Sequence, residues 1–417
     1  MSQDRHSAKD PSADTLHSFQ HDDPTDIAAT APTGKIPGKR SRVVVWAMGI
    51  AVCVSLGVGL GELVVRLFPA LMPVHKQLME AAVHSPHRAV VPDDDVGFLL
   101  PSSLRQVLEA RDYTDVYETD GKGFSNVEPW PEHPAMVFLG DSMVFGYGVG
   151  VWASFPRLVA EMMDTTEVNL ALAAAGPERQ FAVYRKFGMD LHPRHVIACV
   201  YLSSDFENDR RFASWIREGR PTDYNEFRLR SAPPKRTSVI SSLQQLAEKS
   251  WLFMLGRDLI MRWTPGYLPD RHRFADGSQI LLDRNTIAFA MDDAAPDDAR
   301  IEELLVSLDK IKKLVVQGVN TLSVVLVPSR AELFGVPAGV TAGNLVLRTR
   351  QRLQEAGFSV LDLYPALRRA GQTRSPYFRT DGHFNEYGHR VVAETFVSWF
   401  RRGLPDSAQL KPTGARH

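Results

Sequence analysis

Ala135-Met-Val-Phe-Leu139 is a short apolar run that ends at Gly140-Asp141-Ser142-Met143. A run of this length, closed by glycine, is the pattern of a strand buried on both faces. It puts Ser142 just past the strand's carboxyl end, where open α/β sheets bind their ligands. Outward from it the pattern repeats. Phe155 to Met163 predicts a helix, Glu167 to Leu172 a second strand, residues 178–188 a second helix, and His195 to Leu202 a third strand. Ile301 to Gln317 carries Leu304, Leu305, Leu308, Ile311, Leu314 and Val315 on one side of a helix. Thr321 to Val327 predicts a fourth strand, Leu345 to Ala356 a helix stopped by Gly357, and Phe358 to Leu363 a fifth strand. Strands separated by crossover helices call for a parallel sheet. The fold expected is a doubly wound α/β domain over residues 135–403, broken by an insertion at about 206–300. Inside that insertion Thr237 to Trp263 reads as one long amphipathic helix, packed against the main domain or serving as a lid or membrane-facing surface near the active site.

The N-terminal part reads differently. Residues 1–42 are rich in Ser, Asp, Thr, Pro and Ala, without apolar periodicity, and predict a disordered tail. Val43 to Gly61 is nineteen residues without a charge, about 28 Å as a helix, close to the thickness of a bilayer core. Lys35, Lys39, Arg40 and Arg42 precede it. The positive-inside rule then leaves the tail in the cytoplasm and the domain outside, anchored by one transmembrane helix over 43–65. Glu62 and Arg66, four residues apart, are expected at the outer interface. Residues 66–134, punctuated by prolines, read as an extracytoplasmic linker region, and 404–417 as a flexible tail.

Composition sets bounds on function. With 48 Lys and Arg against 49 Asp and Glu, the net charge is −1, which argues against a nucleic-acid partner. Cys53 and Cys199 lie in apolar settings and read as small hydrophobes rather than a disulfide. No His, Cys and carboxylate cluster has metal-ligand spacing, Gly146 to Gly150 lacks full dinucleotide-binding spacing, and no phosphate-loop lysine is present. Neither a metal nor a cofactor is expected.

A neutral serine needs a base within hydrogen-bond reach. Arg379-Thr-Asp381-Gly-His383-Phe-Asn385 stands before a C-terminal helix that Asn385 is placed to cap. There His383 is placed to take the serine proton and Asp381 to support the imidazolium. His389, inside that helix, reads as packing or surface.

These blocks resemble the SGNH/GDSL hydrolase superfamily, and especially its membrane-anchored bacterial members related to alginate acetyltransferase-like proteins. The resemblance rests on Glu62 and Arg66 at the end of the anchor, Phe138 to Ser142 with Gly146 to Val149, Val168-Asn-Leu with Gly176 and Gln180, Val327-Pro-Ser-Arg330, and Asp381 to Asn385. It implies a flavodoxin-like three-layer α/β/α sandwich, with Ser142 as nucleophile and Asp381 and His383 completing a triad. It also implies an oxyanion hole of the Ser142 N–H, a second-block N–H at Ala174 or Gly176, and a third-block side chain. That last slot, an asparagine in the family, holds Ser204 here, with Asn208 a turn later as an alternative. The function implied is hydrolysis of acyl, typically acetyl, esters on an envelope or secreted glycan. Transfer of an acetyl group through the same acyl-serine, with a membrane acyl-donor protein as partner, and a glycan-binding role without catalysis are the alternatives. The location implied is the inner membrane, with the domain in the periplasm.

Overall fold

The computed structural model describes residues 39–68, 71, 77–78, 89–230, 249–261, 263, 271–282, 298–318, 321–335 and 344–403. Of the expected tails, residues 1–38 and 404–417 lie outside the described residues, as do 237–248 of the long helix, whereas 39–42, read as the end of the disordered tail, are helical. The chain divides into two compact units, Met1–Gly59 and Leu60–His417.

Helix α1 (Lys39–Leu67) runs through the boundary between the units. Its stretch Arg42–Leu67, 26 residues, is long and apolar enough to cross a membrane. Two antiparallel hairpins follow, β1 (Val91–Asp93) with β2 (Gly97–Leu99), and β3 (Arg105–Glu109) with β4 (Thr114–Glu118). Residues 89–134 are therefore not a linker but a folded part of the second unit. The hairpins escaped the sequence pattern because strands of three to five residues, flanked by prolines, carry too few alternations to register.

The main domain begins at β5 (Met136–Leu139), followed by the short helices α2 (Ser142–Phe145) and α3 (Gly150–Ala153) and by α4 (Phe155–Met163). Next come β6 (Glu167–Asn169), α5 (Pro177–Val183), β7 (His195–Tyr201), α6 (Asp205–Arg217) and α7 (Tyr224–Arg230). Helix α8 (Trp251–Met261) and the hairpin β8 (Arg271–Arg273) with β9 (Gln279–Leu281) belong to the insertion. The domain closes with α9 (Asp298–Gln317), β10 (Thr321–Val327), α10 (Arg330–Phe334), α11 (Asn344–Glu355), β11 (Ser359–Asp362), α12 (Tyr364–Ala370) and α13 (Glu386–Gly403).

The sheet is parallel throughout, in the order β11-β10-β7-β5-β6. Read from the other edge this is the flavodoxin-like order 2-1-3-4-5, whose switch point lies beside its first strand. Here that strand is β5, which ends at Ser142. Alternate residues serve two cores. Met136, Phe138, Ile197 and Cys199 face α4 and α13, while Val137, Leu139, Val196 and Ala198 face α5, α6, α9 and α11. Burial on both faces explains the unbroken apolar runs. Phe138, fully buried, meets Phe155 and Phe396 at ring distances of 5.8 Å each.

Two parts of the insertion are placed otherwise than expected. Helix α6, read as its start, buries Phe212 and Trp215 in the second core and so belongs to the sandwich. Of the helix read from Thr237 to Trp263, the described part is helical over Trp251–Met261, preceded by a turn at Lys249.

His389 is core, not surface. It lies fully buried between Phe155 and Phe384, and its Nδ1 accepts the Phe155 N–H at 3.1 Å. Burial, and then the nearby His383 charge, push its pKa from 6.5 down to about 3. The unfolded chain therefore takes up a proton that the folded one refuses between those values, and acid favours unfolding. Relative to His389→Phe, the wild type should lose about 1.4 kcal/mol of stability per pH unit as pH falls from 6.5 toward 3. Urea unfolding of both proteins at several pH values checks this, and parallel curves would contradict it.

Candidate active site

Gly140 opens the turn that carries Ser142. A Cβ on Gly140 would stand 2.2 Å from Val144 Cγ2, so only glycine lets the strand fold over into α2 so tightly. Asp141 caps that helix, its Oδ1 accepting the Met143 N–H at 2.9 Å. Asn169, at the end of the neighbouring β6, donates to the Val144 carbonyl at 3.0 Å and fixes the turn from the side.

The base arrives from the far end of the chain. Tyr377 and Phe384 form an antiparallel bridge, and the Phe378 N–H bonds the His383 carbonyl at 3.1 Å. Residues 378–383 are thus a short loop closed at its neck. Asn385 staples the neck with its amide, donating to the carbonyls of Ser375 (2.9 Å) and Tyr377 (3.0 Å). Its Oδ1 accepts the Gly388 N–H at 3.0 Å and caps α13, as its position before the helix suggests.

The loop delivers His383 Nε2 to 2.8 Å from Ser142 Oγ, and His383 Nδ1 to 2.5 Å from Asp381 Oδ1. All three sequence-predicted triad residues meet. Burial alone would raise the Asp381 pKa. The His383 charge outweighs it, together with hydrogen bonds from the His383 ring and N–H and from Tyr113, and holds the carboxyl far below the usual range. Such a carboxylate stays charged at any physiological pH and orients the ring.

Four residues that sequence reasoning left without a role support this loop. Asp112 Oδ2 accepts from the Thr380 N–H (2.5 Å), the Thr380 hydroxyl (2.8 Å) and the Asp381 N–H (2.8 Å). Tyr113 donates to Asp381 Oδ2 at 3.2 Å, and the Tyr147 ring lies 5.0 Å from that of His383. Arg330 donates to the carbonyls of Asp381 (2.8 Å) and Thr380 (3.1 Å). The sequence Ser329-Arg-Ala-Glu332 forms a capping box, with both reciprocal bonds present, which starts α10 at Arg330. That box was readable in the sequence; the partners of Asp112 and Tyr113, 268 residues away, were not.

The oxyanion candidates stand at the ends of the strands flanking β5. Ala174 and Gly176 follow β6, and Ser204 follows β7 and opens α6. Gly176 is pressed against α6, where a Cβ would meet Asp209 N at 2.7 Å. Ala174 has φ +56, the left-handed conformation that favours glycine and strains alanine. Of the two residues, the backbone of Ala174 is the one that has the shape of a glycine slot. The fully buried Arg179 holds this turn, donating to the carbonyls of Ala173 (2.6 Å), Val96 (2.7 Å) and Phe98 (2.7 Å). Asn208 gives one amide hydrogen bond to the Asp205 carboxylate and keeps a second N–H, so it stands beside Ser204 as a side-chain candidate. Burial pushes Asp205 well above the carboxylate range, helped by Asp141, whose own value burial raises to about 6. Ser204→Asn, which restores a longer donor, should raise turnover of an aryl acetate by about 10-fold or more. An unchanged rate in a folded variant would show that Ser204 does not fill the slot.

A parallel sandwich with this strand order, carrying Ser, His and Asp on the carboxyl side of its sheet, has the layout of a serine-triad α/β fold. More particularly, residues 288–416 match the family described as the SGNH hydrolase-like domain of the acetyltransferase AlgX. That stretch holds Arg330, Asp381 and His383 but not Ser142. Among solved structures, the chain is similar to a member of the lipolytic G-D-S-L family from Veillonella parvula. Identity is 12%, the match covers 64% of this chain and 98% of that one, and the TM-score is 0.34. It is similar also to a carbohydrate esterase family 2 enzyme with a carbohydrate-binding domain from Corynascus thermopiles, at 11% identity, 68% of each chain and a TM-score of 0.35. A third is a GDSL-like lipase from Bacteroides thetaiotaomicron, at 9% identity, 67% of this chain, 93% of that one and a TM-score of 0.32. No curated protein matches.

Proposed function

We propose that this chain is a membrane-anchored serine enzyme that handles acyl esters, acetyl esters in the first place, on an envelope or secreted glycan. The observation that carries the proposal is the Ser142–His383–Asp381 chain of hydrogen bonds at the carboxyl end of β5. In the first half-reaction His383 Nε2 takes the proton of Ser142 Oγ as the oxygen attacks the acyl carbonyl. The backbone N–H groups of Ser142 and Ala174 and the Ser204 hydroxyl receive the oxyanion. Collapse expels the alcohol, which takes the proton back from His383 and leaves acyl-Ser142. In the second half-reaction His383 takes the proton of an acceptor that attacks the acyl group, and returns it to Ser142 Oγ as the acyl–serine bond breaks. Water as acceptor gives hydrolysis; a sugar hydroxyl gives transfer.

The match to a domain described by an acetyltransferase favours transfer as the second reading. Transfer calls for an acyl donor, and a separate membrane protein would be its source. The apolar helix and the basic cluster before it support a single span of the inner membrane, with the domain in the periplasm. The full chain in detergent, given an aryl acetate with and without a panel of deacetylated polysaccharides, separates the readings. Release of acetate alone supports hydrolysis, and acetyl groups appearing on a polysaccharide support transfer. Neither product from folded protein would leave a glycan-binding role without catalysis. An alkaline phosphatase fused after residue 80, whose disulfides form only outside the reducing cytoplasm, should be active, and an inactive phosphatase fusion paired with an active β-galactosidase fusion at the same site would reverse the topology.

A further inference from the structure

Helix α8 holds more apolar surface than a soluble domain ordinarily leaves bare. Phe253 is 51% exposed, Leu259 50%, Ile260 68% and Trp263, just past its end, 90%. At about 100° per residue these positions, with Gly256 among them, share one stripe about 120° wide. The opposite side is anchored: Met254 is fully buried.

The start of the helix is tied to the last turns of α1. The Glu62 carboxylate accepts from the Ser250 hydroxyl (2.9 Å) and from the N–H groups of Trp251 (3.0 Å) and Leu252 (3.0 Å). These are the donors that the first turn of a helix leaves free. Arg66, paired with Glu62 at 2.7 Å, lies 5.3 Å over the Trp251 ring and donates to the Lys249 carbonyl at 3.2 Å. Gly61 allows the close approach, since a Cβ there would stand 2.8 Å from Leu252 Cδ2. One residue of the apolar helix thus caps a second helix whose bare stripe has no cover among the described residues. The pairing of Glu62 with Arg66 was legible in the sequence; its capping of a segment 190 residues away was not.

We infer that α8 is a lipid-interface helix: fastened by Glu62 where the anchor leaves the bilayer, it lays Phe253, Leu259, Ile260 and Trp263 into the outer leaflet. The inference rests on the membrane-anchor reading proposed above. Continuity with the anchor selects lipid over other occupants, because the capped end of α8 is held at the depth of the anchor's last turns. Trp251 and Trp263 at the two ends suit the headgroup level, where tryptophan is enriched. A helix with one apolar face and one end fixed there lies along the interface rather than across it. The catalytic domain would then be held against the membrane at two points instead of swinging from one.

The test uses the full chain with Cys53→Ala, reconstituted in vesicles of phosphatidylcholine and phosphatidylglycerol. A polarity-sensitive fluorophore is placed on Ile260→Cys, on Leu56→Cys within the span, or on Leu347→Cys, an exposed position of α11. Lipid carrying a doxyl quencher should dim the probe at 260 at least half as strongly as at 56, while aqueous iodide dims only 347. A probe at 260 that iodide reaches as freely as at 347, with 56 still quenched by lipid, overturns the inference and spares the anchor. A probe at 260 shielded from both quenchers also overturns it, and points to a protein or a second copy on the stripe. A probe at 56 that lipid fails to quench removes the anchor reading, and this inference with it.

Discussion

Ser142→Ala should abolish covalent labelling by a fluorophosphonate and lower ester turnover by about 10⁴-fold or more. The reason is geometric. Ser142 Oγ is the hydroxyl held at 2.8 Å from His383 Nε2, at the carboxyl end of β5. His383→Ala should cost nearly as much, since the serine then lacks a proton acceptor. Asp381→Asn should cost less, because that residue orients the ring and supports its charge. Combining Ser142→Ala with His383→Ala should add almost nothing, as members of a triad act as a unit. Peptide mass spectrometry of the labelled protein reads the outcome. Label on Ser203 or Ser204, or label persisting in Ser142→Ala, would sink the assignment.

Asp112→Ala should have the largest effect of any change outside the triad. One carboxylate oxygen takes two backbone N–H groups and a hydroxyl of the loop that carries Asp381. Removing it strands those donors in a half-buried setting, at a cost of about 1–3 kcal/mol. The loop then shifts, and a displacement of about 1 Å at the base lowers turnover by about 100-fold. The loss should fall on kcat and on the rate of fluorophosphonate labelling, with KM little changed. Asp112→Asn keeps an acceptor oxygen and should recover most of the rate. Equal loss in both variants, or a change confined to KM, would mean that Asp112 binds substrate rather than positions the loop.

What the sequence discloses and what it conceals follow from how far apart contacting residues lie. The five parallel strands are legible because burial on both faces writes an apolar run, as in Val324 to Val327. Ser142 and the Asp381-x-His383 pair are legible because strand ends and pre-helical loops are where an α/β sheet exposes chemistry. Asn385 is legible as a cap because its helix follows at once. The hairpins of residues 91–118 are not, and Asp112 and Tyr113 within them touch the site only through the fold. Between Ala174 and Gly176 the residue letters point the wrong way. Glycine at 176 answers to packing against α6, while the glycine-like backbone belongs to an alanine.

The two halves of the serine–histidine contact lie 241 residues apart in the chain. At a synthesis rate of about 5–20 residues per second, Ser142 emerges roughly 12–50 s before its base. Every unfinished chain therefore carries Ser142 without the base that would activate it, an inert alcohol until the C-terminal loop has been made.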